Sequence, residues 1–280
     1  EFMKEMWRVL KLSGVVRITE DDTENPKSNW YKTGNLKSGP NCLTGPKMIR
    51  GLLEDSGFIV FNQSSNTTLF KDSSLMQAYR GGKPNVFFIE GIKCKVPKRR
   101  NDLPQFFVDL GFKVGAEIGV YKAEFSSKLA STGIKLYSID PWQKYSGTTQ
   151  QRQNQLYEYS KKVLSPYPKA KIIRKTSMEA LNDFKDESLD FVYIDANHEF
   201  KFIAEDLFEW SKKVKSGGIV SGHDYFFNKT GTGAQIWHVA HVLKAYIGAM
   251  GIENWYLIGQ RNANKGEKRD KWRSWMFVKQ

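Results

Sequence analysis

From residue 103 onward the chain alternates short apolar runs with longer amphipathic stretches, which predicts strands alternating with helices. Strands are predicted at Val114–Val120, Lys135–Ile139, Ala170–Arg174, Leu189–Ile194, Ile219–Gly222, Trp255–Ile258 and Ser274–Val278. Helices are predicted at Leu103–Leu110, Ala123–Ser131, Thr149–Leu164, Ser177–Phe184, Phe200–Val214 and Gln235–Met250, with Gly217 and Gly218 as the stop after the fifth. This order predicts an α/β fold with a doubly wound, mostly parallel, Rossmann-like sheet. The last two strands have no helix between them, so the final strand should be antiparallel.

The first hundred residues repeat part of this pattern. Met6–Thr19 has the pattern of a helix end, a glycine and a strand, and Gly45–Phe61 that of an amphipathic helix, a glycine and a strand. Asn85–Lys93 has the pattern of one more strand. The second part of the chain closes with the same succession of elements. We therefore expect residues 1–92 to form a smaller α/β lobe that corresponds to the back half of the same architecture. The alternative is an unrelated small α+β cap.

The basic stretch Lys93–Pro104 contains two prolines, and residues 93–102 within it are predicted to be a linker, so the complete domain would span residues 103–280. In a half-domain, the strand at Gly14–Thr19 would have an open edge, which proteins rarely leave unprotected. We expect that edge to pair with another strand, either in this chain or in a second copy. The second possibility predicts a homodimer through the N-terminal lobe.

Composition narrows the class of protein. The chain is 40% hydrophobic and 14% aromatic, which supports a packed core. Two cysteines do not make a disulfide framework or a zinc cluster, and they favour a reducing, cytoplasmic setting. No apolar run is long enough to span a membrane, and the charged start has no signal-peptide pattern. The net charge of +13 is compatible with acidic partners, including nucleic acid, or with a solvated lysine-rich surface.

The strongest chemical signal is an acid and a glycine on one strand followed by an acid at the tip of the next. Glu117 and Gly119 lie in the first strand of the complete domain, and Asp140 ends the second. A glycine turn lets the backbone approach a ligand, and an acid at the next strand tip accepts hydrogen bonds from ribose hydroxyls. The pattern therefore predicts a nucleoside-binding site.

Two further motifs carry a resemblance to a known family. They are IDANH, at Ile194–His198, and GGIVSGHDY, at Gly217–Tyr225. With the acid–glycine strand, they make residues 103–280 similar to class I S-adenosylmethionine (SAM)-dependent methyltransferases, in the branch that includes macrocin-type sugar O-methyltransferases. The N-terminal part resembles the C-terminal half of another class I methyltransferase. The resemblance implies a methyltransferase enzyme with SAM as its cofactor. The family's later glycines are replaced here by Tyr121 and Ala123.

The resemblance also implies site residues. Those for the cofactor are Glu117, Gly119, Val120, Tyr121, Ser126, Asp140, Pro141, Trp142, Ser177, Met178 and Asp195. In the family, the acid of the first strand supports the methionine amino group, and the acid of the second strand binds the ribose. The residues after the third strand contact adenine. The structural alternatives are that Glu117 caps the following helix and that Met178 is plain core.

Acids and histidines follow the fourth and fifth strands, where they should meet at one sheet edge. Asp195 and Asp224 could hold a divalent cation such as Mg²⁺, which would orient and activate a substrate hydroxyl. His223 stands where some metal-dependent relatives carry an acid, so His198 or His223 acting as a general base is the alternative. A third possibility is that both histidines are structural.

The favoured function is O-methylation of a hydroxyl on a small molecule or glycan. Two loops should frame the acceptor, the aromatic and glycine-rich Tyr225–Gln235 and the basic Gln260–Arg273. The basic loop suggests an acidic acceptor, and the alternative is that it is a solvated hairpin. A nucleic-acid methyltransferase is an alternative supported by charge alone, since the N/D-P-P-Y/F motif of amino-directed DNA methyltransferases is missing. A non-catalytic cofactor-binding scaffold is the other alternative.

Overall fold

The computed structural model describes residues 15–21, 53, 58–64, 86–145, 147–226, 237–252, 255–259 and 272–279. The chain divides into two compact units, which are described separately. The first comprises Glu1–Lys95 with Gln280, and the second comprises Val96–Lys279. The division between them falls inside the predicted linker.

The first unit contains a three-stranded antiparallel sheet. Its strands are β1 (Val15–Asp21), β2 (Phe58–Ser64) and β3 (Val86–Lys93). The order is β1-β3-β2, so the last strand in sequence lies in the middle and is antiparallel to both neighbours. The predicted strands of this region are therefore present. The helix predicted after Gly45 lies almost wholly outside the described residues.

The second unit is a seven-stranded sheet in the order β6-β5-β4-β7-β8-β10-β9. The strands are β4 (Val114–Ile118), β5 (Lys135–Ile139), β6 (Ala170–Ile173), β7 (Leu189–Ile194), β8 (Val214–Gly222), β9 (Trp255–Ile258) and β10 (Ser274–Val278). The helices are α1 (Leu103–Asp109), α2 (Glu124–Ser131), α3 (Gln150–Leu164), α4 (Ser177–Ala180), α5 (Phe200–Lys213) and α6 (Val239–Ala249). Strands β4 to β8 pair in parallel, and β10 is antiparallel to both of its neighbours. The predicted Rossmann-like fold is confirmed.

Alternation along β7 divides the core between the two faces of the sheet. On one face, Phe191 stacks on Phe107 of α1 at 4.0 Å between ring centroids, and Tyr193 contacts Phe125 of α2 at 4.5 Å. On the other face, Val192 belongs to the cluster that α5 and α6 complete. Both faces are thus apolar and covered, which is the condition for a parallel sheet.

The glycine pair before the fifth parallel strand is not a helix stop, contrary to the prediction. Helix α5 ends at Lys213, and β8 begins at the next residue. The glycines lie inside β8, where its register against β7 shifts between Leu189 and Phe191. Gly217 has a φ of 78°, and a Cβ on Gly218 would come within 2.5 Å of the Asp190 carbonyl oxygen. The pair therefore forms a bulge where the two strands approach closely.

The remaining differences at element ends are small. Helix α4 is shorter than predicted, because its last turn continues as a 3₁₀ helix at Leu181–Asp183. Helix α6 is described from Val239, and residues 227–236 before it lie outside the described residues. In the part of the chain that the structure covers, no helix combines the length and apolar character needed to cross a bilayer.

Two glycine substitutions test this packing in opposite directions. A Cβ on Gly115 in β4 would lie 2.2 Å from the Phe191 ring, so Gly115→Ala should lower the free energy of unfolding by about 1–3 kcal/mol. Gly248 in α6 has open space around it, so Gly248→Ala should raise that free energy by roughly 0.5–1 kcal/mol. Urea denaturation of both variants measures the two shifts. Equal effects would contradict the described packing of β4 on β7.

Candidate active site

The carboxyl ends of β4, β5, β7 and β8 bring the predicted site residues to one edge of the sheet. Glu117 lies at the end of β4, and Asp140 follows β5. Asp195 follows β7, and His223 and Asp224 follow β8. This edge is where ligands bind in open α/β sheets. The fold thus places every predicted acid around one space.

The turn after β4 requires glycine at position 119. Gly119 has a φ of 88°, and its N–H donates to the Ile139 carbonyl at 2.8 Å. A Cβ at this position would lie 2.2 Å from the Asp195 carbonyl oxygen. The backbone therefore passes between β5 and the loop after β7, where no side chain has room.

The replaced glycines do not change the path of the turn. Tyr121 and Ala123 have φ values of 55° and 56°, the left-handed conformation that glycine adopts easily. Such a conformation costs a residue with a Cβ about 1–2 kcal/mol. The Tyr121 side chain is 48% exposed, so it does not fill the turn. Both residues that replace the family's glycines therefore keep a backbone conformation that glycine adopts easily.

Asp140 holds this turn in place. Its Oδ2 accepts hydrogen bonds from the N–H groups of Val120 at 2.9 Å and Tyr121 at 3.0 Å. Its Oδ1 accepts one from the N–H of Trp142 at 2.8 Å. These bonds to a charged acceptor offset the cost of the left-handed residues. A carboxylate has about four acceptor positions, so capacity remains for ribose hydroxyls.

Trp142 supports the turn from inside the protein. Its side chain is almost fully buried, and its Nε1–H donates to the Tyr121 carbonyl at 3.1 Å. Ser160 of α3 donates to the same carbonyl at 3.0 Å. The Trp142 ring packs on Tyr157 instead of facing a ligand. Pro141 beside it is half-buried.

Glu117 is a buried acid at the same edge. It accepts a hydrogen bond from the Ser126 hydroxyl of α2, and it does not cap that helix, whose N-cap residue Ala123 has no side-chain cap bond. Burial raises the pKa of Glu117 to about 8, against the opposing effects of Ser126 and Arg100. A cationic group of a ligand next to this buried carboxyl would favour its ionised form.

Ser177 and Met178, the predicted adenine contacts, begin α4. The Ser177 hydroxyl donates to Asp206 of α5 and accepts a bond from Trp210 Nε1 at 2.7 Å. Burial raises the pKa of Asp206 to about 7. The Ser177 hydroxyl is thus hydrogen-bonded to other protein side chains. Met178 is a half-buried residue packed against the core.

The centre of the site is a cluster of two carboxylates and two imidazoles. His198 Nε2 lies 2.9 Å from Asp224 Oδ2, and His223 Nδ1 lies 3.1 Å from Asp224 Oδ1. Burial opposes ionisation of Asp224, but the two histidines hold its pKa well below the usual range. Burial lowers the pKa of His198, but the contact with Asp224 outweighs that effect and raises it. Asp224 has a φ of 59°, the kind of backbone strain that clusters at functional sites.

The start of α6 fixes His198, a role that the sequence analysis missed. Trp237 stacks on the His198 ring with 4.6 Å between centroids and 16° between planes. The N–H of His238 donates to the His198 carbonyl at 2.8 Å, and His238 Nδ1 accepts from the N–H of Phe200 at 2.9 Å. Phe226 meets Trp237 edge-on at 6.0 Å. The sequence offers one indication of a site role for Trp237 and His238, which is their position directly after the glycine-rich loop.

Arg100 is the second residue that the sequence analysis missed, because it lies in the predicted linker. Its Nη2 contacts Asp195 Oδ2 at 3.0 Å, and its Nε donates to the Tyr193 hydroxyl at 2.8 Å. Nothing in the sequence distinguishes Arg100 from the other basic residues of this stretch, so its burial could not be predicted.

The cluster fits Mg²⁺ poorly. Within the described residues, Asp195, His198 and Asp224 offer one donor atom each, all within 4.8 Å of one another. Mg²⁺ prefers six oxygen donors, whereas an imidazole suits transition metals. Asp195 is already paired with a guanidinium. We therefore derive no catalytic step through Mg²⁺.

Comparison with protein families gives the site its context. Residues 112–225 match a family described as a methyltransferase domain. The matched segment begins just before β4 and ends at Tyr225, so it includes the β4 turn and the carboxylate–imidazole cluster. This part of the chain is therefore similar to a methyltransferase domain, which is an enzyme domain.

Similar proteins include an uncharacterized one and several of known structure. Uncharacterized protein y4gI from Sinorhizobium fredii is 32% identical over 69 residues, which cover 24% of this chain and 8% of that protein. A Staphylococcus aureus protein assigned as a caffeoyl-CoA O-methyltransferase is 16% identical, with a TM-score of 0.49 over 67% of this chain and 87% of that one. An O-methyltransferase from Bacillus cereus, in complex with SAH, is 13% identical, with a TM-score of 0.47 over 64% of this chain and 80% of that one.

The raised pKa of Glu117 predicts how stability depends on pH. The folded state holds a proton that the unfolded state releases near pH 4.5, so the free energy of unfolding should fall as pH rises from about 4.5 to about 8. Glu117→Gln removes this titration. The variant should match the unmodified protein at pH 5 and be more stable at pH 8.5, by a few kcal/mol.

Denaturation curves measured across this range check the difference. Glu124→Gln, at an exposed position on α2, is the control and should leave the pH dependence unchanged. Parallel curves for Glu117→Gln and the unmodified protein would show that Glu117 is not a buried acid.

Proposed function

We propose that this domain transfers a methyl group from SAM to a hydroxyl oxygen of a small molecule or glycan. The observation that carries the proposal is the arrangement of one sheet edge. The turn held by Asp140 approaches the Asp195 backbone at Gly119, and Asp195 Oδ1 lies 4.0 Å from His223 Nδ1 in the cluster around Asp224. A cofactor site at the turn and a general base in the cluster would therefore adjoin each other. The methyltransferase family match supports the reaction class.

The turn and its acids account for cofactor binding. Asp140 would accept the ribose hydroxyls, and Gly119 lets the cofactor pass close to the backbone. The Glu117 carboxylate would meet the ammonium of the methionine part, which favours its ionised form. When bound, SAM supplies a methyl group on a positively charged sulfur. Asp195, which follows β7, would face that charge.

His198 is the better candidate for the general base. The His198 side chain is 27% exposed and can reach an acceptor, whereas His223 is 1% exposed. Asp224 lies against Nε2 of His198, so it would hold the ring in one tautomer and stabilise the imidazolium. Nδ1 would then take the proton from the acceptor hydroxyl as its oxygen attacks the methyl group. Trp237 keeps the ring in this orientation.

A divalent-metal-assisted reaction is the weaker second candidate, because Asp195, His198 and Asp224 offer only three donor atoms among the described residues and Asp195 is already paired with Arg100. The acidic character of the acceptor stays a proposal that rests on the basic loop at Gln260–Arg273. Its last residue lies at the site edge, since the Arg273 carbonyl accepts a hydrogen bond from the N–H of Tyr225 at 3.0 Å.

We also propose that the first unit is a partial methyltransferase-like lobe. Its order β1-β3-β2, with β3 antiparallel to both neighbours, is the same as the order β8-β10-β9 in the second unit. The proposed homodimer would use the outer edge of β1, which has one partner among the described strands.

Calorimetric titration with SAM and with SAH tests the cofactor. The unmodified protein should bind both. Asp140→Ala should weaken binding by about 1.5–3 kcal/mol, because it removes charge-assisted hydrogen bonds. Asp140→Asn should weaken it less, since one acceptor oxygen remains. Asp186→Ala, before β7 at the opposite edge of the sheet, is the control and should not change affinity. Equal affinities for Asp140→Ala and the control would refute the assignment.

Transfer of a radiolabelled methyl group tests the reaction. Hydroxylated small molecules, glycans and RNA are offered as three separate acceptor classes. With a methylated hydroxyl acceptor, His198→Ala should lower turnover by about 10²–10⁴-fold while SAH affinity is kept. His241→Ala, at an exposed position on α6, is the control. Labelling of RNA alone would favour the nucleic-acid alternative, and SAH binding with no transfer would favour the scaffold.

A further inference from the structure

Arg100 differs from the basic residues around it because it is buried. Lys95, Lys98 and Arg99 are exposed, whereas the Arg100 side chain is 9% exposed. A buried guanidinium is costly unless it is paired and hydrogen-bonded. Of the basic residues described in the stretch before α1, Arg100 is therefore the one whose charge is buried in the domain, and the other three are exposed to solvent.

The guanidinium contacts β7 and α2 directly, and β10 and the residue after β9 support it through Tyr193 and the Lys98 backbone. It donates to the Tyr193 hydroxyl of β7, which in turn is 3.0 Å from the Ser274 hydroxyl of β10. It lies 4.1 Å above the Phe125 ring of α2, a cation–π distance. The carbonyl of Lys98, two residues earlier, accepts a hydrogen bond from the N–H of Gly259, which follows β9. The position of Arg100 is thus fixed by the sheet and not by a mobile loop.

The fixed guanidinium determines what Asp195 can do. Oδ2 of Asp195 contacts Arg100 at 3.0 Å, while Oδ1 faces His223 at 4.0 Å from Nδ1. One oxygen of Asp195 is therefore paired with Arg100, and the other is oriented toward His223. With neutral imidazoles, Asp195, Asp224 and Arg100 together carry one net negative charge. A divalent ion at this cluster would be attracted less strongly than by the two carboxylates alone, because the guanidinium is a like charge close to it.

We infer that Arg100 takes the place of a divalent cation at Asp195, as a positioning residue that orients this carboxylate and disfavours metal binding at the cluster. The inference rests on the proposed function in one respect, which is that Asp195 faces the methyl donor. It implies that the domain binds cofactor equally well with and without a chelator. It also implies that the three donor atoms become a metal site when the guanidinium is removed.

Mn²⁺ titration followed by electron paramagnetic resonance tests this without any methyl acceptor. Arg100→Met should bind Mn²⁺ at least about ten-fold more tightly than the unmodified protein, because a positive charge next to Asp195 is lost. Arg100→Lys keeps the charge and should stay within a few-fold of the unmodified protein. Arg99→Met, at the neighbouring exposed position, is the matched control and should change nothing. In Arg100→Met with Asp195→Asn, the gain should disappear.

Other results would overturn the inference. They are micromolar Mn²⁺ binding by the unmodified protein, equal binding by Arg100→Met and Arg99→Met, or a gain that persists in the Asp195→Asn background. If Arg100→Met does not fold, Arg100→Gln replaces it, since its amide can still donate to Tyr193 and Asp195 without a charge. SAM binding by the unmodified protein is measured separately, so failure of the proposed function is distinguished from failure of this inference.

Discussion

The active-site edge depends on the contact between the turn after β4 and the loop after β7. A Cβ on Gly119 would lie 2.2 Å from the Asp195 carbonyl, so the two segments are as close as backbones can come. Because β4 and β7 are neighbours, this approach sets the separation between Glu117 and Asp195, the acids at their tips. The left-handed residues at 121 and 123 follow from the same constraint, since the chain must turn sharply to leave the contact.

Charge at this edge is balanced by protein groups. Asp140 is stabilised by hydrogen bonds from backbone N–H groups of the turn, and Asp195 is paired with the guanidinium of Arg100. Burial raises the pKa of Glu117 to about 8, although the hydrogen bond from its hydroxyl partner Ser126 opposes that shift. Three acids within one edge thus have three different environments. Under the proposed function, such differences would allow one site to bind a cationic cofactor and still keep a base for the acceptor.

The sequence predicts the sheet well because its signal is local. Apolar runs bounded by polar helices give the limits of β5, β7, β9 and β10 as the structure has them. The glycine pair in β8 was misread because glycine after a helix is usually a stop, and only the neighbouring β7 reveals the bulge. Asp140, Asp195 and Asp224 could be placed at one edge from strand order alone. Arg100 and Trp237 could not, since their roles depend on tertiary contacts with Asp195 and His198.

Within the described residues, the sheet of the first unit has fewer neighbours for its first strand than the matching strand has in the second unit. In the second unit, β8 has the antiparallel β10 on one side and the parallel β7 on the other. Its counterpart in the first unit, β1, has β3 on one side and no second neighbour among the described strands. Small sheets need further strands or a packed face for independent stability. Under the proposed half-domain, β1 would take its second neighbour either from this chain or from a second copy. In the first case the added strand would stabilise a single chain, and in the second it would join two chains.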